Sequence, residues 1–416
     1  MMVPIALAGL LAAYCMVANR LASTILTAPM IFIATGYLAS SAGFMPPLVS
    51  ERALHLVAEI ALVILLFLDA AQVDATTLGR RHIWPARMLL IGLPLAFVLG
   101  WGAGLILMPE LSLLAAGLAA AILMPTDAAL GQPVVSNPEV PERPRRALIV
   151  ESGLNDGLAL PVVLLMSALV APHGMAPPEG WTLFALKQVT LGPLAGGLCG
   201  LVAGYVLLWA KRTEATSEVY EGIGALAVAC MCYLMAVQIG GNGFIAAFAG
   251  GLTFGMIVKG RCAFVFEFTE GEGQLLSWAA FFLIGAIMVP EAIMHLTWPA
   301  AALILASLFL VRPIAIWLSL IGTDAAPATR LFFGWFGPRG LATALFALLV
   351  VEEIDRDTSE TIIHLATNAV WISALLHGIT AAPGARLYAR YLAHSRPEAE
   401  AQPVPPQKAS PKEPAA

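Results

Sequence analysis

Residues 151–156 read Glu-Ser-Gly-Leu-Asn-Asp and interrupt a run from Ala147 to Val170 whose only other polar side chain is Ser167. Glu151 and Asp156 supply carboxylates, Ser152 a hydroxyl and Asn155 a carboxamide, all in a segment apolar enough to lie in hydrocarbon. A charged group at the centre of a bilayer costs at least about 2.5–3.5 kcal/mol on insertion scales, so such a cluster marks a functional site by default. Oxygen donors of these types suit a small hard cation that keeps part of its water. A carboxylate withdrawn from water needs a counter-charge, and a proton or a cation can supply it. Asp156 can therefore trade one for the other, with Ser152 one helical turn away and Asn155 beside it.

Two interruptions of apolar segments accompany the cluster. Met-Pro-Thr-Asp at 124–127, with Pro133 beyond it, breaks one segment, and Phe-Gly-Pro-Arg-Gly at 336–340 breaks another. Proline removes a backbone donor and clashes with the preceding turn, so both helices are expected to unwind inside the membrane. Paired interrupted helices point to the binding site of a transporter. Their half-helix ends carry about half an elementary charge each. Arg339 is expected to neutralise one of these ends. Asp127 either neutralises another or, with Thr126 and unwound carbonyls, contacts the ion directly. Arg312 lies in an apolar segment and keeps its proton, so it needs an anion, and Glu151 is the candidate. That pair reads as a structural clamp.

The elements that position these groups follow from composition. Of 416 residues, 59% are hydrophobic and 12% charged, with net charge −5 and a mean hydropathy of +0.83. An ordinary soluble domain carries about 25% charged residues, so the chain is an all-α polytopic membrane protein. The apolar runs predict about 13 transmembrane helices, roughly 3–19, 25–44, 53–70, 87–108, 112–131, 146–170, 184–210, 220–239, 242–258, 274–290, 296–321, 329–351 and 361–382. The two broken segments are the fifth and twelfth. That offset suits two inverted six-helix repeats with crossed interrupted helices, joined by the seventh span.

Most basic residues in loops, among them Arg20, Arg143, Arg145, Arg146, Lys211, Arg212 and Arg330, fall on one side, whereas Arg52, Lys187 and Arg356 fall on the other. This bias places the N-terminus outside and the C-terminus in the cytoplasm of a plasma (inner) membrane. Residues 1–392 form the transmembrane domain, and the Pro-, Glu- and Ala-rich stretch 393–416 is expected to be a disordered cytoplasmic tail. The five cysteines show no metal-ligand spacing. Nothing suggests a nucleic-acid partner or a cofactor.

The motifs resemble a known family. Pro-Thr-Asp at 125–127, Glu-Ser-Gly-Leu-Asn-Asp-Gly at 151–157, Gly-Gly-Asn-Gly-Phe-Ile-Ala-Ala-Phe at 240–248, Arg-Pro at 312–313 and Gly-Pro-Arg-Gly-Leu at 337–341 are similar, in order, to the monovalent cation:proton antiporter-1 family, the NhaP-type sodium/proton exchangers. The resemblance implies the sodium/proton antiporter fold and a homodimer. It also implies core ion-transport helices around 87–170 and 296–384 that move like an elevator against dimerisation helices around 1–70 and 184–258. Asp156 would carry the ion (Na+, Li+ or K+) and the proton, Ser152 and Thr126 would complete the site, Asn155 would support it, and Glu151 would pair with Arg312. Asn155 before Asp156 resembles the electroneutral branch, one cation per proton. Two positions depart from the pattern. Ala128 stands where proline is common, and Asp69 stands where an acidic residue is expected in a Glu-Gly context. Asp69 either lines an ion funnel or is a plain interfacial carboxylate.

The expected function is secondary exchange of Na+ or Li+ for H+. A K+/H+ exchanger of the same fold would use the same ligands. A passive channel would not need compensated broken helices. An intramembrane hydrolase would need a base beside Ser152, and no histidine motif supplies one, so no enzymatic activity is expected. His364 and His377 read as packing residues, Asn368 as a link between helices, and Asn242 as part of a tight connection.

Overall fold

A computed structural model describes residues 2–21, 24–43, 51–72, 83–135, 137, 139–171, 181–258, 261–351, 353–395 and 400. Among the described residues the regular structure is entirely helical. Among the described residues the predicted spans overlap helix, the fifth and twelfth in two pieces each. Seven helices are long and apolar enough to cross a membrane: Ile83–Leu107, Glu142–Val170, Leu186–Arg212, Glu218–Gln238, Gly271–Met294, Trp298–Ser319 and Arg356–His394. Shorter apolar helices include Ala28–Ser41, Leu113–Ile122, Gly243–Val258 and Leu341–Val350. Large apolar side chains such as Leu90, Ile106 and Leu194 lie exposed on these helices. In a chain of this composition such faces are what lipid covers.

The first broken segment unwinds at Pro125, with Pro133 inside the helix that resumes, and the second at Gly337, Pro338 and Gly340. The first runs Leu113–Ile122, opens, and resumes as Ala128–Val135. The second runs Pro327–Trp335, opens, and resumes as Leu341–Val350. Ser112 caps the first, its hydroxyl accepting from the Ala115 amide at 3.1 Å, which satisfies a donor that the helix start leaves over. Elsewhere the prolines widen helices instead of breaking them. Single π-helical turns at Met88–Gly92, Ile284–Met288 and Ser307–Val311 lead into Pro94, Pro290 and Pro313. A wider turn relieves the clash of the proline ring with the preceding carbonyls. The third of these turns delivers Arg312.

The chain divides into two compact units, residues 1–59, 82–178 and 275–401 in the first and 60–81, 179–274 and 402–416 in the second. The first unit therefore includes residues 1–59, which the resemblance assigns to the dimerisation helices. Small residues explain the grouping. A side chain at Gly36 would run into the Phe282 carbonyl, and one at Gly285 into that of Ile33, so helix Ala28–Ser41 packs backbone to backbone against residues 282–286. Within the second unit, Gly196 and Gly200 let helix Trp181–Arg212 approach helix Gly243–Val258 in the same way. Close approach through small residues is how helices associate where lipid competes equally for apolar surface.

The last helix is longer than its apolar run, extending over Arg356–Ser395. Of the stretch read as a tail from residue 393, the first residues continue that helix, and Glu400 is buried, its Oε1 accepting from Thr329 Oγ1 at 2.7 Å and the Ala326 amide at 2.8 Å. Residues 396–399 and 401–416 lie outside the described residues, as do Arg80, Arg81 and Lys259 among the basic residues of the loops.

Candidate functional site

All the groups that follow belong to the first unit. The two broken helices meet at their breaks. The Asp127 amide donates to the Pro338 carbonyl at 2.9 Å, and the Leu341 amide donates to Asp127 Oδ2 at 2.7 Å. Asp127 thus places its carboxylate at the N-terminus of the half-helix Leu341–Val350, where orphan amides and the helix dipole favour negative charge. Arg339 does the converse. Its Nη1 donates to the carbonyls of Met124 at 2.6 Å and Pro125 at 3.0 Å, which continue the C-terminal end of Leu113–Ile122, while Nη2 reaches Ser307 Oγ at 3.0 Å. The Arg339 amide donates to Ser373 Oγ at 2.7 Å. Each break is therefore neutralised by a side chain from the other. Gly340 is required at this crossing, because a Cβ there would overlap the Asp127 side chain.

Helix Glu142–Val170 passes beside the crossing and presents two faces. On one, Glu151 and Asn155 point at Thr126. Arg312 forms a bidentate pair with Glu151, Nη1 to Oε1 at 3.0 Å and Nη2 to Oε2 at 3.2 Å, and Nη2 also reaches the Phe333 carbonyl at 3.4 Å. Both residues are buried, at 3% and 2% exposure. Two parallel charge-assisted bonds are the geometry in which a buried pair offsets its desolvation. Gly337 leaves room for the guanidinium, which a Cβ there would strike. Thr126 Oγ1 lies 3.4 Å from both Glu151 oxygens.

Asn155 is fully buried, and its Nδ2 donates to the Thr126 carbonyl at 3.0 Å and to the Thr126 hydroxyl in a short contact. A backbone carbonyl only accepts, so the amide nitrogen faces Thr126 and Oδ1 faces away. That Oδ1 has no hydrogen-bond partner among the described residues. On the adjoining face of the helix lie Ser152, buried, and Asp156, half-buried, one turn apart. Thr126 is engaged by Glu151 and Asn155, and Ser152 and Asp156 follow on the adjoining face of the same helix. Asp69 belongs to the second unit, half-buried near the end of helix Glu51–Gln72.

Ser307, Ser373 and the Phe333 carbonyl also hold the two arginines, and sequence reasoning missed all three, since a serine in an apolar helix carries no signal of its partner. His377, on the same helix as Ser373, is buried with its ring nitrogens 2.9 Å from the carbonyls of Ser373 and Trp335. Asn368 donates to the Ala292 carbonyl at 2.7 Å, linking two helices. Asn242 caps the helix that follows it, accepting from the Ile245 amide at 2.9 Å.

The family model described as "Sodium/hydrogen exchanger, transmembrane" matches residues 6–386. Among curated proteins, the chain is 28% identical over 352 residues to a K+/H+ antiporter NhaP of Alkalimonas amylolytica, covering 80% of this chain and 57% of that protein. It is 27% identical over 377 residues to a K+/H+ antiporter NhaP2 of Shewanella oneidensis, covering 86% and 62%. The chain therefore spans less than two thirds of the length of these relatives. Among solved structures, the sodium proton antiporter MjNhaP1 of Methanocaldococcus jannaschii at pH 8 superposes with a TM-score of 0.76 at 20% identity, covering 94% of this chain and 99% of that one. The likeness shows a common fold.

Proposed function

The chain belongs to the sodium/hydrogen exchanger family, and from that premise we propose that it is a secondary transporter exchanging one monovalent cation for one proton across the membrane. Asp156 carries the ion and the proton in turn, with Ser152 and Thr126 completing the site. Asn155 both holds Thr126 and turns its amide oxygen to the ion. Asp127 and Arg339 neutralise the half-helix ends, and Glu151 with Arg312 clamps helix Glu142–Val170 to helix Trp298–Ser319.

One observation carries this reading: Asn155 Oδ1 is a buried acceptor with no hydrogen-bond partner among the described residues, one residue from a half-buried carboxylate at the crossing of two broken helices. A buried acceptor left unsatisfied costs about 1–3 kcal/mol, and a hard cation or a water in its shell would satisfy it. Formal charge supports the stoichiometry. Three carboxylates, Asp127, Glu151 and Asp156, stand with two guanidiniums, Arg312 and Arg339. One monovalent cation or one proton makes up the difference, so both loaded states carry the same charge. Exchange would proceed by an elevator-like movement of the helices around 87–170 and 296–384, in a homodimer held by helices around 1–70 and 184–258, in the plasma membrane with the C-terminus in the cytoplasm.

The transported ion is Na+ or Li+ in the leading reading. The names of the curated relatives favour a second, K+, through the same ligands. Both are tested by reconstituting the protein in vesicles that hold a pH-sensitive dye and an imposed proton gradient, then adding Na+, Li+, K+ and choline in turn. Dissipation with one or more of the metal ions and none with choline is the expected result. No response to any cation, or an equal response to choline, would refute exchange.

A further inference from the structure

His364 reads from the sequence as a solitary histidine near the start of the last helix, yet in the structure it has company. His295, just past the end of helix Gly271–Met294, lays its imidazole parallel to that of His364, with ring centroids 4.5 Å apart and planes within 2°. Glu291 lies one turn before His295. One potential ligand atom from each of the three residues lies within 4.8 Å of the other two. Glu291 and His295 are exposed and His364 is half-buried, so the cluster is open to solvent on one side. All three belong to the first unit.

Two features make this more than a chance approach. His295 Nδ1 lies 2.9 Å from the Glu291 carbonyl oxygen. A carbonyl only accepts, so Nδ1 carries the hydrogen and Nε2 is left with the lone pair. That is the tautomer a metal needs, with a backbone carbonyl in the orienting role that such partners play at metal sites. The frame is also rigid. Asn368, one turn beyond His364, donates to the carbonyl of Ala292, the neighbour of Glu291, and accepts from Trp371 Nε1 at 2.8 Å. The three ligands are therefore carried on a packed pair of helices. Glu360, one turn before His364, adds negative charge nearby while held by Arg356 at 2.7 Å.

We propose that Glu291, His295 and His364 bind a divalent transition-metal ion of the Zn2+ type. Two imidazoles and a carboxylate form a three-ligand set that leaves a fourth position for water, and nitrogen donors favour such an ion over the hard alkali cations of the exchange site. Tetrahedral bonds of about 2.0–2.2 Å put ligand atoms roughly 3.4 Å apart. Binding would turn one imidazole out of the parallel stack, so that both in-plane lone pairs meet the ion, and close the cluster by on the order of 1 Å. The basic-residue bias places both connections on the non-cytoplasmic side, so the ion would come from outside and pin the end of one helix to the start of the other.

The test uses tag-free protein in detergent, stripped with EDTA and titrated with Zn2+ by calorimetry and with Co2+ by visible absorption. One ion per chain is expected. His295→Gln and His364→Gln should each weaken binding at least about ten-fold, and Glu291→Gln should weaken it too. In EDTA all variants should unfold at the wild-type temperature, which separates loss of ligands from loss of fold. Should either histidine variant fail to fold, Glu291→Gln decides. Wild-type protein that binds neither ion, or folded variants that bind both as tightly as wild type, would overturn the proposal.

Discussion

The Leu341 amide donates to Asp127 Oδ2 at 2.7 Å, so a carboxylate from one broken helix caps the half-helix of the other. With Arg339 on the carbonyls of Met124 and Pro125, the crossing is closed by reciprocal contacts. Asp127→Ala removes both the cap and the charge and should lower stability by about 1–2 kcal/mol, whereas Asp127→Asn keeps an acceptor and should recover most of it. Thermal unfolding of the purified protein in detergent checks the order, and equal losses in the two variants would contradict the capping role.

The Glu151–Arg312 pair is predicted to behave as a clamp. Removing one partner strands a buried charge, so Arg312→Met or Glu151→Leu alone should destabilise by about 3–5 kcal/mol. The double replacement should cost less than either single one. A double-mutant cycle measured by chemical unfolding shows whether the effects couple in this sense.

Steric predictions follow from the two glycines that admit these side chains. A Cβ at Gly340 overlaps Asp127, and one at Gly337 overlaps the Arg312 guanidinium. Alanine at either position should destabilise by about 1–3 kcal/mol and slow exchange. Gly102→Ala is the control. It meets nothing within 4 Å, and in a helix it should leave stability unchanged or raise it by up to about 1 kcal/mol.

Helices and polar residues were legible for the same reason: a bilayer admits almost only apolar side chains, so spans appear as runs and functional groups as exceptions. The sequence therefore singled out Thr126, Asp127, Glu151, Asn155, Arg312 and Arg339, which the fold brings to one crossing. It did not show which of them touch. That Thr126 meets Asn155 and Glu151 depends on the rotation of helix Glu142–Val170, which its nearly uniform apolar surface does not encode. The grouping of residues 1–59 with the first unit rests on the contacts of Gly36 and Gly285, and small residues do not name their partners. His295 and His364 met for a similar reason, through two connections far apart in the chain.

Outside the membrane, Asp324 provides a test of acid sensitivity. Burial raises its carboxyl, but hydrogen bonds from Arg143 and Trp84 and the charge of Arg143 outweigh this and hold it below the ordinary carboxylate value. Arg143 Nη1 lies 2.8 Å away, and its guanidinium also stacks 3.8 Å above the Trp84 ring. A carboxyl depressed in the folded state contributes stability above its unfolded pKa of about 3.9 and loses it as pH falls through the folded value. Asp324→Asn should therefore unfold at a lower temperature than wild type at pH 6, and the gap should close as pH drops below about 4. The effect should be small, because the Asp324 side chain is 46% exposed and solvent screens it.

Cation-driven proton flux in vesicles, compared between wild type and Asp156→Asn with the membrane potential clamped by valinomycin and K+, tests the exchange by Asp156 most directly. Wild type should show flux that is indifferent to the clamped potential, Asp127→Asn should retain part of it, and Asp156→Asn should show none while folding normally. Undiminished flux in Asp156→Asn would contradict the assignment of the exchanging carboxylate, and flux that follows the imposed potential would contradict exchange of one charge for one.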